Sequence, residues 1–216
     1  MRIVCISDTH NCNEQIVVPE GDILIHSGDA TTTGTVDQIT KFNSWFSDLP
    51  HKHKVFVAGN HDWLFENDNE FARNLLDPSI IYLQDSAVEI EGLQIYGSPW
   101  QPRFFDWAFN LNRGYEMAEK WELIPDDIDI LITHGPPNGI LDLVPRRGWN
   151  ENTGCEELRK RVEQLAAFGR LRLHVFGHIH CGYGTHEEFG VKFVNASTCD
   201  EAYNPVNPPI VIDIQR

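Results

Sequence analysis

The sequence predicts a layered α/β fold with a mixed β-sheet system, and three observations support it. The opening third alternates apolar, β-prone runs with one amphipathic helical stretch, which is the order typical of layered folds. Three short β-prone runs at 80–83, 87–90 and 93–96 lie too close together for helical crossovers, which indicates antiparallel pairing. Polar motifs follow five of the predicted strands directly, as in folds whose site lies at the carboxyl edge of a sheet.

The first half of the chain supplies most of the predicted strands. Nearly continuous apolar runs at 2–7, 22–27 and 54–58 indicate strands that are covered on both faces. Thr35 and Gln38 form a capping-box pattern that opens a helix, and Pro50 ends it. A second helix is predicted over residues 67–76, bounded by Pro78.

The second half contains an aromatic loop and the remaining elements. Residues 98–112 are rich in aromatic side chains and interrupted by prolines, which favours a structured loop over a helix. Thr153 and Glu156 resemble another capping box, which predicts a helix that stops at Gly169. The other predicted elements are a helix at 115–123 and strands at 128–133, 171–176, 192–195 and 210–214.

Length, charge and the N-terminus limit the class of protein. The chain has 216 residues, enough for one large domain with a substantial core, predicted to span 1–216. Its net charge of -15 repels polyanions, so we expect no nucleic-acid polymer as a partner. Residues 1–10 carry Arg2 as their single basic residue and reach Asp8 after a short apolar run. They therefore resemble neither a signal peptide nor a membrane span, which predicts a cytoplasmic protein without a membrane partner.

Cysteine usage supports the same compartment. The five cysteines form no C-x-x-C pair: Cys5, Cys12, Cys155, Cys181 and Cys199. Their number and spacing fit neither a disulfide framework nor a thiolate zinc site, so they are predicted to be reduced thiols. Cys181 lies beside His180, but oxygen and imidazole ligands dominate the motifs, and we do not expect Cys181 to bind a metal.

Five polar motifs carry the chemistry. They are Asp8-Thr9-His10, Gly28-Asp29, Gly59-Asn60-His61-Asp62, Thr133-His134-Gly135 and Gly177-His178-Ile179-His180. In the last motif, residues i and i+2 of an extended backbone point the same way, so His178 and His180 are predicted on one side of a strand end. Two imidazoles placed in this way are good ligands for a transition metal.

Together the motifs offer more ligands than one tetrahedral ion needs. The candidate metal ligands are Asp8, His10, Asp29, Asn60, His134, His178 and His180. This set suits two divalent ions of higher coordination that share one carboxylate. Such a centre stays net positive, binds phosphate oxygens and lowers the pKa of bound water to about 7. The motifs therefore predict hydrolysis of a phosphate ester.

The order of the five motifs resembles that of the calcineurin-like metallophosphoesterase superfamily. Longer segments, at 24–29, 95–100, 133–137 and 195–199, are similar to the brain-type metallophosphoesterase-domain-containing proteins, and this similarity covers nearly the whole chain. The resemblance implies a layered sandwich of two mixed β-sheets flanked by α-helices.

The resemblance also implies roles for individual residues. One metal would be held by Asp8, His10, Asp29 and His180, and a second by Asp29 as bridge with Asn60, His134 and His178. His61 would face the substrate and donate a hydrogen bond to the phosphoryl group or a proton to the leaving oxygen. The residues after Gly28-Asp29 are Ala30 to Thr33, so no carboxylate partner can be assigned to His61.

The implied function is that of a dinuclear metal-dependent phosphodiesterase. It would act on small phosphorylated molecules, with cyclic nucleotides as candidate substrates, by attack of a metal-bound hydroxide on phosphorus. Mn or Fe is the first expectation for the metals, with Zn or Ni as alternatives. The functional alternatives are a phosphomonoesterase or nuclease of the same fold, and a catalytically weak metal-binding scaffold for a protein partner. The oligomeric state is left open.

Several other residues have weaker assignments. Asn60, His61 and Arg113 are candidate substrate contacts, although an exposed arginine such as Arg113 is more often only solvated. Asp62 is predicted to cap the following helix rather than orient a neighbour. The aromatic loop from Trp100 to Phe109 is expected to fill a secondary core, with stacking on a nucleobase as the alternative. The remaining histidines are predicted to be structural or exposed: His26, His51, His53, His174 and His186.

Overall fold

The computed structural model describes residues 1–215 and confirms the predicted α/β fold with two mixed sheets. The helices are α1 (Val36–Asp48), α2 (Leu64–Asn67), α3 (Asn69–Asn74), α4 (Tyr115–Glu122) and α5 (Glu156–Ala167). The strands are β1 (Arg2–Ile6), β2 (Ile23–His26), β3 (His53–Phe56), β4 (Ile80–Tyr82), β5 (Ser86–Ile90), β6 (Leu93–Ser98), β7 (Gln101–Pro102), β8 (Asn110–Leu111), β9 (Ile130–Thr133), β10 (Leu143–Arg146), β11 (Trp149–Asn152), β12 (Leu173–Phe176), β13 (Gly184–Glu188), β14 (Val191–Asn195) and β15 (Ile210–Asp213).

Two large sheets organise the chain. The first has the order β15-β1-β2-β3-β4, in which β1 to β4 are parallel and β15 is antiparallel. The second has the order β13-β14-β12-β9-β6-β5, with parallel pairs at its centre and antiparallel pairs at both edges. The carboxyl ends of β1, β2 and β3 therefore meet at one edge, as do those of β9 and β12 in the second sheet.

The sheets pack face to face and helices cover their outer faces. Side chains of both sheets form the central core, including Ile25 and Val55 from the first and Ile132 and Val175 from the second. On the outer face of the first sheet, α1 contributes aromatic side chains such as Phe42. Helices α4 and α5 cover the second sheet with residues that include Trp121, Leu158 and Val162. This arrangement gives four layers, helix on sheet on sheet on helix.

The helix ends show where local sequence rules succeed and where they fail. At α1 the predicted capping box is present, because the Thr35 hydroxyl accepts from the Gln38 amide and the Gln38 side chain accepts from the Thr35 amide. At α5 the predicted box is wrong. Cys155 is the N-cap there, and the Thr153 hydroxyl instead donates to the Asp142 carbonyl. Gly169 follows α5 with φ +74, as the predicted stop requires.

The predicted antiparallel group is only half correct. Strands β5 and β6 pair antiparallel, but β4 joins the first sheet and runs parallel to β3. The short turn from Leu83 to Asp85 carries the chain from one sheet to the other, so proximity in sequence did not mean pairing. The helix predicted at 67–76 is two short helices, α2 and α3. Over residues 1–215, no helix combines the length and the apolar character needed to cross a bilayer.

Candidate metal centre

The five motifs converge at one place in the structure. Each follows a strand end, as predicted: β1, β2 and β3 in the first sheet, and β9 and β12 in the second. An isolated parallel bridge between Ser7 and Ser197 joins the two sheets just beyond these ends. Side chains from both sheets therefore face each other across a single cleft.

The first group of ligands consists of Asp8, His10 and His180. The Nε2 atom of His180 lies 3.3 Å from Asp8 Oδ1 and 3.4 Å from His10 Nε2. Two imidazole nitrogens and a carboxylate oxygen this close together can bind a single metal ion. These are three of the four residues expected to hold the first metal.

Asp29 lies at the centre of the site. Its Oδ2 atom is 3.4 Å from His134 Nε2, and 3.9 Å from the Nε2 atoms of both His10 and His61. Two groups share this carboxylate, one with His10 and His61 and the other with His134 and His178. A single carboxylate that belongs to two groups has the placement expected of a bridging ligand.

Asn60 completes the second group. Its Oδ1 atom lies 2.9 Å from His134 Nε2, on the side of the imidazole that faces Asp29. The structure thus brings together all seven residues predicted as ligands. The predicted geometry of the last motif is wrong, however. His178 has a left-handed φ of +67 and His180 begins a 3₁₀ turn, so the two imidazoles join different groups instead of sharing one side of a strand end.

Backbone conformation at the site is strained. Four of the predicted ligands have positive φ values: Asp8 (51), His10 (43), Asp29 (54) and His178 (67). Non-glycine residues seldom adopt this region, and they do so chiefly where a functional arrangement holds them. Close backbone approach adds to the constraint, because a Cβ at Gly177 would lie 2.0 Å from Asp8 Oδ2 and one at Gly59 2.3 Å from Asp29 Oδ1.

Hydrogen bonds outside the ligand groups fix the orientation of the imidazoles. The Nδ1 atom of His134 donates to the Ser27 carbonyl at 3.0 Å, and that of His180 donates to the Asp200 carbonyl at 2.8 Å. Both rings are therefore held with Nε2 directed into the site. Ser197 supports the carboxylate of Asp8, because its hydroxyl donates to Asp8 Oδ2 at 2.9 Å. Such outer contacts are typical of metal sites.

The electrostatics favour ionised carboxylates. Burial alone would raise the pKa of both carboxyls, but His180 holds the pKa of Asp8 well below its usual range and His134 does the same for Asp29. Burial lowers the pKa of His178 to about 3 and that of His10 to about 4, so these imidazoles are neutral. The charges of Asp29 and Asp8 outweigh burial and raise the pKa of His134 and that of His180 to about 9, so these two imidazoles are protonated near neutral pH. Because cations bind charged carboxylates and neutral imidazoles, both rings would release a proton when a metal binds.

The donor set fits divalent transition-metal ions. Two buried carboxylates, four imidazoles and one amide oxygen present hard oxygen and intermediate nitrogen ligands at short mutual distances. The Nδ1 atom of His10 is buried without a hydrogen-bond partner, so this ring is held through its environment rather than by a carbonyl. Cysteine takes no part in the ligand groups found within residues 1–215.

His61 lies at the rim of the groups, with its side chain 12% exposed. Its Nδ1 donates to the Thr32 carbonyl at 2.8 Å, and its amide donates to Asp29 Oδ1 at 2.8 Å. No carboxylate partner for His61 could be assigned from the sequence, and in the structure its partner is the backbone carbonyl of Thr32. The Nε2 atom of His61 faces Asp29 and the cleft.

The predicted capping role of Asp62 is wrong. Its carboxylate accepts from the amides of Gly59, Ala30 and Thr31 and from the Thr31 hydroxyl, while α2 begins without a side-chain cap. Burial and the charge of Asp29 raise the pKa of Asp62 to about 6. Asp62 therefore ties the loop after β2 to the loop after β3, and so orients its neighbours.

A cavity of about 490 Å³ opens from the ligand groups toward solvent. Its wall includes Asn60, His61 and Arg113, the three candidate substrate contacts, together with Phe104 and Tyr203. The guanidinium of Arg113 already pairs with Glu156 and donates to the carbonyls of Thr153 and Gly154. Its contact with a substrate stays a prediction.

Several residues near the site were not found from the sequence. The ring of Tyr203 stands edge-on to His10 at 4.7 Å, and the residue has a φ of +63. The β10–β11 hairpin brings Val144 and Arg146 to the cavity wall. A lone tyrosine in a polar segment and a short exposed hairpin carry no pattern by which a single sequence marks them.

The remaining assignments are mostly as expected. His26 and His174 are fully buried, and each hydrogen-bonds a threonine hydroxyl. In the aromatic loop, Phe109 is buried and Trp100 packs beside it, whereas Phe104 and Phe105 are exposed. Phe109 and Trp100 therefore belong to the core, whereas Phe104 lines the cleft.

Comparison with known proteins agrees with the site. The family model described as calcineurin-like phosphoesterase matches residues 1–182. The chain is 47% identical to metallophosphoesterase domain-containing protein 1 of Homo sapiens over 237 aligned residues, covering 99% of this chain and 71% of the relative. It is 38% identical to a UPF0046 protein of Caenorhabditis elegans, covering 99% of this chain and 81% of the relative.

Proposed function

We propose, from the premise that this chain belongs to the calcineurin-like phosphoesterase family, that its cleft hydrolyses phosphodiesters of small molecules. The observation that carries the proposal is the placement of Asp29, whose Oδ2 atom lies within 3.9 Å of imidazoles from both ligand groups. A shared carboxylate suits two metal ions a short distance apart, which is the arrangement used for in-line displacement at phosphorus.

The residues would divide between two metals that Asp29 bridges. Asp8, His10 and His180 would hold one ion, and Asn60, His134 and His178 the other. Bound there, divalent cations would supply positive charge for the phosphoryl oxygens and a water acidic enough to act as a nucleophile near neutral pH. With oxygen and nitrogen donors alone, Mn or Fe is the first expectation, and Zn and Ni are the alternatives.

His61 would act on the substrate through Nε2. Because its Nδ1–H is held by the Thr32 carbonyl, a proton on Nε2 can pass to the leaving oxygen or hydrogen-bond a phosphoryl oxygen. Asn60, which lines the same cavity, would orient the phosphoryl group beside it.

The cavity favours a substrate larger than a phosphate group. At about 490 Å³ it leaves room beyond the ligand groups for a substituent on each side of the phosphorus. Cyclic nucleotides are therefore our first candidate substrates. The net charge of -15 disfavours nucleic-acid polymers, and five free cysteines suit the reducing cytoplasm.

The test is a substrate panel with metal add-back. Metal-stripped protein would be supplied with Mn and assayed on bis(p-nitrophenyl) phosphate, p-nitrophenyl phosphate and cyclic nucleotides. We expect Mn-dependent cleavage of the diesters, abolished in Asp29→Asn and unchanged in Asp37→Asn, which alters an exposed aspartate on α1. Faster cleavage of the monoester would replace the diesterase proposal by a phosphomonoesterase. Tight Mn binding without turnover of any substrate would instead support a metal-binding scaffold.

A further inference from the structure

The indole of Trp107 lies on the imidazole of His61. The two ring centroids are 4.1 Å apart and the planes are inclined by 31°, which is a tilted stack. The ring of Trp63 lies 6.3 Å from that of Trp107 at an angle of 35°. The His10 ring lies 4.7 Å from the His61 ring, with the two planes at 82°. His61 is therefore packed against two aromatic rings, those of Trp107 and His10.

Trp107 reaches this position because its loop is anchored beside the site. The amide of Ala108 donates to the Asn60 carbonyl at 3.2 Å, and both Ala108 and Phe109 are fully buried. This anchor places Trp107 next to His61, the residue after Asn60. The wall of the cavity is formed elsewhere in the loop, by Pro102 to Phe104, so the indole supports His61 from behind the reacting side.

We propose that Trp107 is a positioning residue that holds His61 with Nε2 toward the substrate. The imidazole has one hydrogen bond at Nδ1, to Thr32, and rotation of the ring by half a turn about its bond to Cβ would break it and put Cε1 in the place of Nε2. A stacked indole restricts that rotation without itself touching the substrate. The inference rests on the proposed role of His61 as the proton donor.

The step concerned is cleavage of the bond between phosphorus and the leaving oxygen. A water-derived oxygen forms a new bond to phosphorus, the bond to the leaving oxygen breaks, and that oxygen keeps the electron pair. The proton on His61 Nε2 passes to it and neutralises the alcohol product. A leaving group that is stable as an anion does not need this proton, whereas a more basic one does.

Leaving-group dependence therefore separates positioning of His61 from general damage. Methyl p-nitrophenyl phosphate and methyl phenyl phosphate differ only in how much the departing oxygen needs a proton. We expect Trp107→Ala to lower kcat for the phenyl ester by about ten-fold and kcat for the p-nitrophenyl ester by less than about two-fold. His61→Ala should show the same selectivity with a larger loss, and Trp107→Phe should restore most of the rate.

Control variants and metal content make the outcome decisive. Phe105→Ala removes an exposed aromatic ring from the same loop, and it should leave both rates unchanged. Bound metal per chain should be equal in wild type and Trp107→Ala. If Trp107→Ala slows both esters equally, the indole serves only the loop and the inference is wrong. If wild type cleaves neither ester, the proposed phosphodiesterase function fails, and the inference is then decided by a measurement without substrate.

That measurement is the Nδ1–H resonance of His61 in a ¹H–¹⁵N spectrum. Wild-type protein should show a single sharp resonance, protected from exchange with water because the Thr32 carbonyl accepts this proton. Trp107→Ala should broaden or lose the resonance as the ring rotates, and Trp107→Phe should return it. A resonance that is unchanged in Trp107→Ala would overturn the inference whatever the substrate.

Discussion

Part of the acid sensitivity of the fold should come from His174, a buried histidine of β12 outside the metal centre. Its Nε2 lies 2.8 Å from the Thr133 hydroxyl, which itself donates to the Gly135 carbonyl. The hydroxyl must therefore accept from Nε2–H, which leaves Nδ1 as the nitrogen that acid would protonate. The Nδ1 atom is buried without a partner, and a proton there would place an unpaired charge in the core. Burial accordingly lowers the pKa of His174 to about 3.

The sign of the effect follows from comparing the two states. In the unfolded chain His174 has a pKa near 6.5, so on acidification the unfolded state takes up this proton before the folded one does. The contribution to stability is complete above pH 6.5 and is lost as the pH falls toward 3. Each pH unit in that window costs about 1.4 kcal/mol for one proton, so two units cost about 2.7 kcal/mol.

The assay is urea unfolding of metal-stripped His174→Gln and wild type at pH 7.5 and 4.5. Glutamine keeps a donor for Thr133 but cannot be protonated. We expect the free energy of unfolding to fall by about 2.7 kcal/mol less in the variant than in wild type between pH 7.5 and 4.5. His186→Gln, which removes a half-exposed imidazole from β13, should behave as wild type. Equal pH dependence in wild type and His174→Gln would refute this reasoning.

Three further substitutions test the loops and the first helix. Gly59→Ala places a Cβ 2.3 Å from both the amide nitrogen and Oδ1 of Asp29, so we expect it to displace the Asp29 carboxylate and reduce the amount of Mn bound per chain. Full Mn occupancy would show that the loop after β3 moves to accommodate the methyl group. Ser197→Ala removes the hydroxyl that donates to Asp8, and Mn titration should show affinity about ten- to a hundred-fold weaker, with Ser197→Thr close to wild type. Affinity equal to wild type in the alanine variant would contradict this support role. Thr35→Ala removes the cap of α1 and should lower the free energy of unfolding by about 1 kcal/mol, whereas Thr35→Ser should not; equal stability of both variants would show that the cap contributes little.

The positions of the ligands could be predicted from the sequence because two simple regularities act together. A buried parallel strand is recognisable as an apolar run, and the residue after its end lies at the carboxyl edge of the sheet. Asp8, Asp29 and His134 each follow such a run within three residues. Once the runs were recognised as parallel strands, the meeting of these side chains followed from topology alone.

The same reasoning failed where the backbone leaves regular geometry. The shared side predicted for His178 and His180 assumed an extended chain, but left-handed φ at His178 sends its ring to Asp29 while His180 turns toward Asp8. The hydrogen-bond partners of a carboxylate could not be predicted from the local sequence either. Asp62 carries the local signature of a cap, and only the approach of a second loop gives its carboxylate better partners in the amides of Thr31 and Gly59.

The division of ligands between the sheets has a consequence for how the fold and the site depend on each other. Asp8 and Asp29 come from the first sheet, while His134 and His180 come from the second, so each carboxylate faces an imidazole across the open edge of the sandwich. Cations bound between them would link the two sheets where the central apolar core ends. Metal binding to the folded state alone must then stabilise the sandwich as a whole, because the unfolded chain does not bring these ligands together. The strained backbone at both aspartates is consistent with this, since a fold can hold such residues only where the surrounding contacts fix them from several sides.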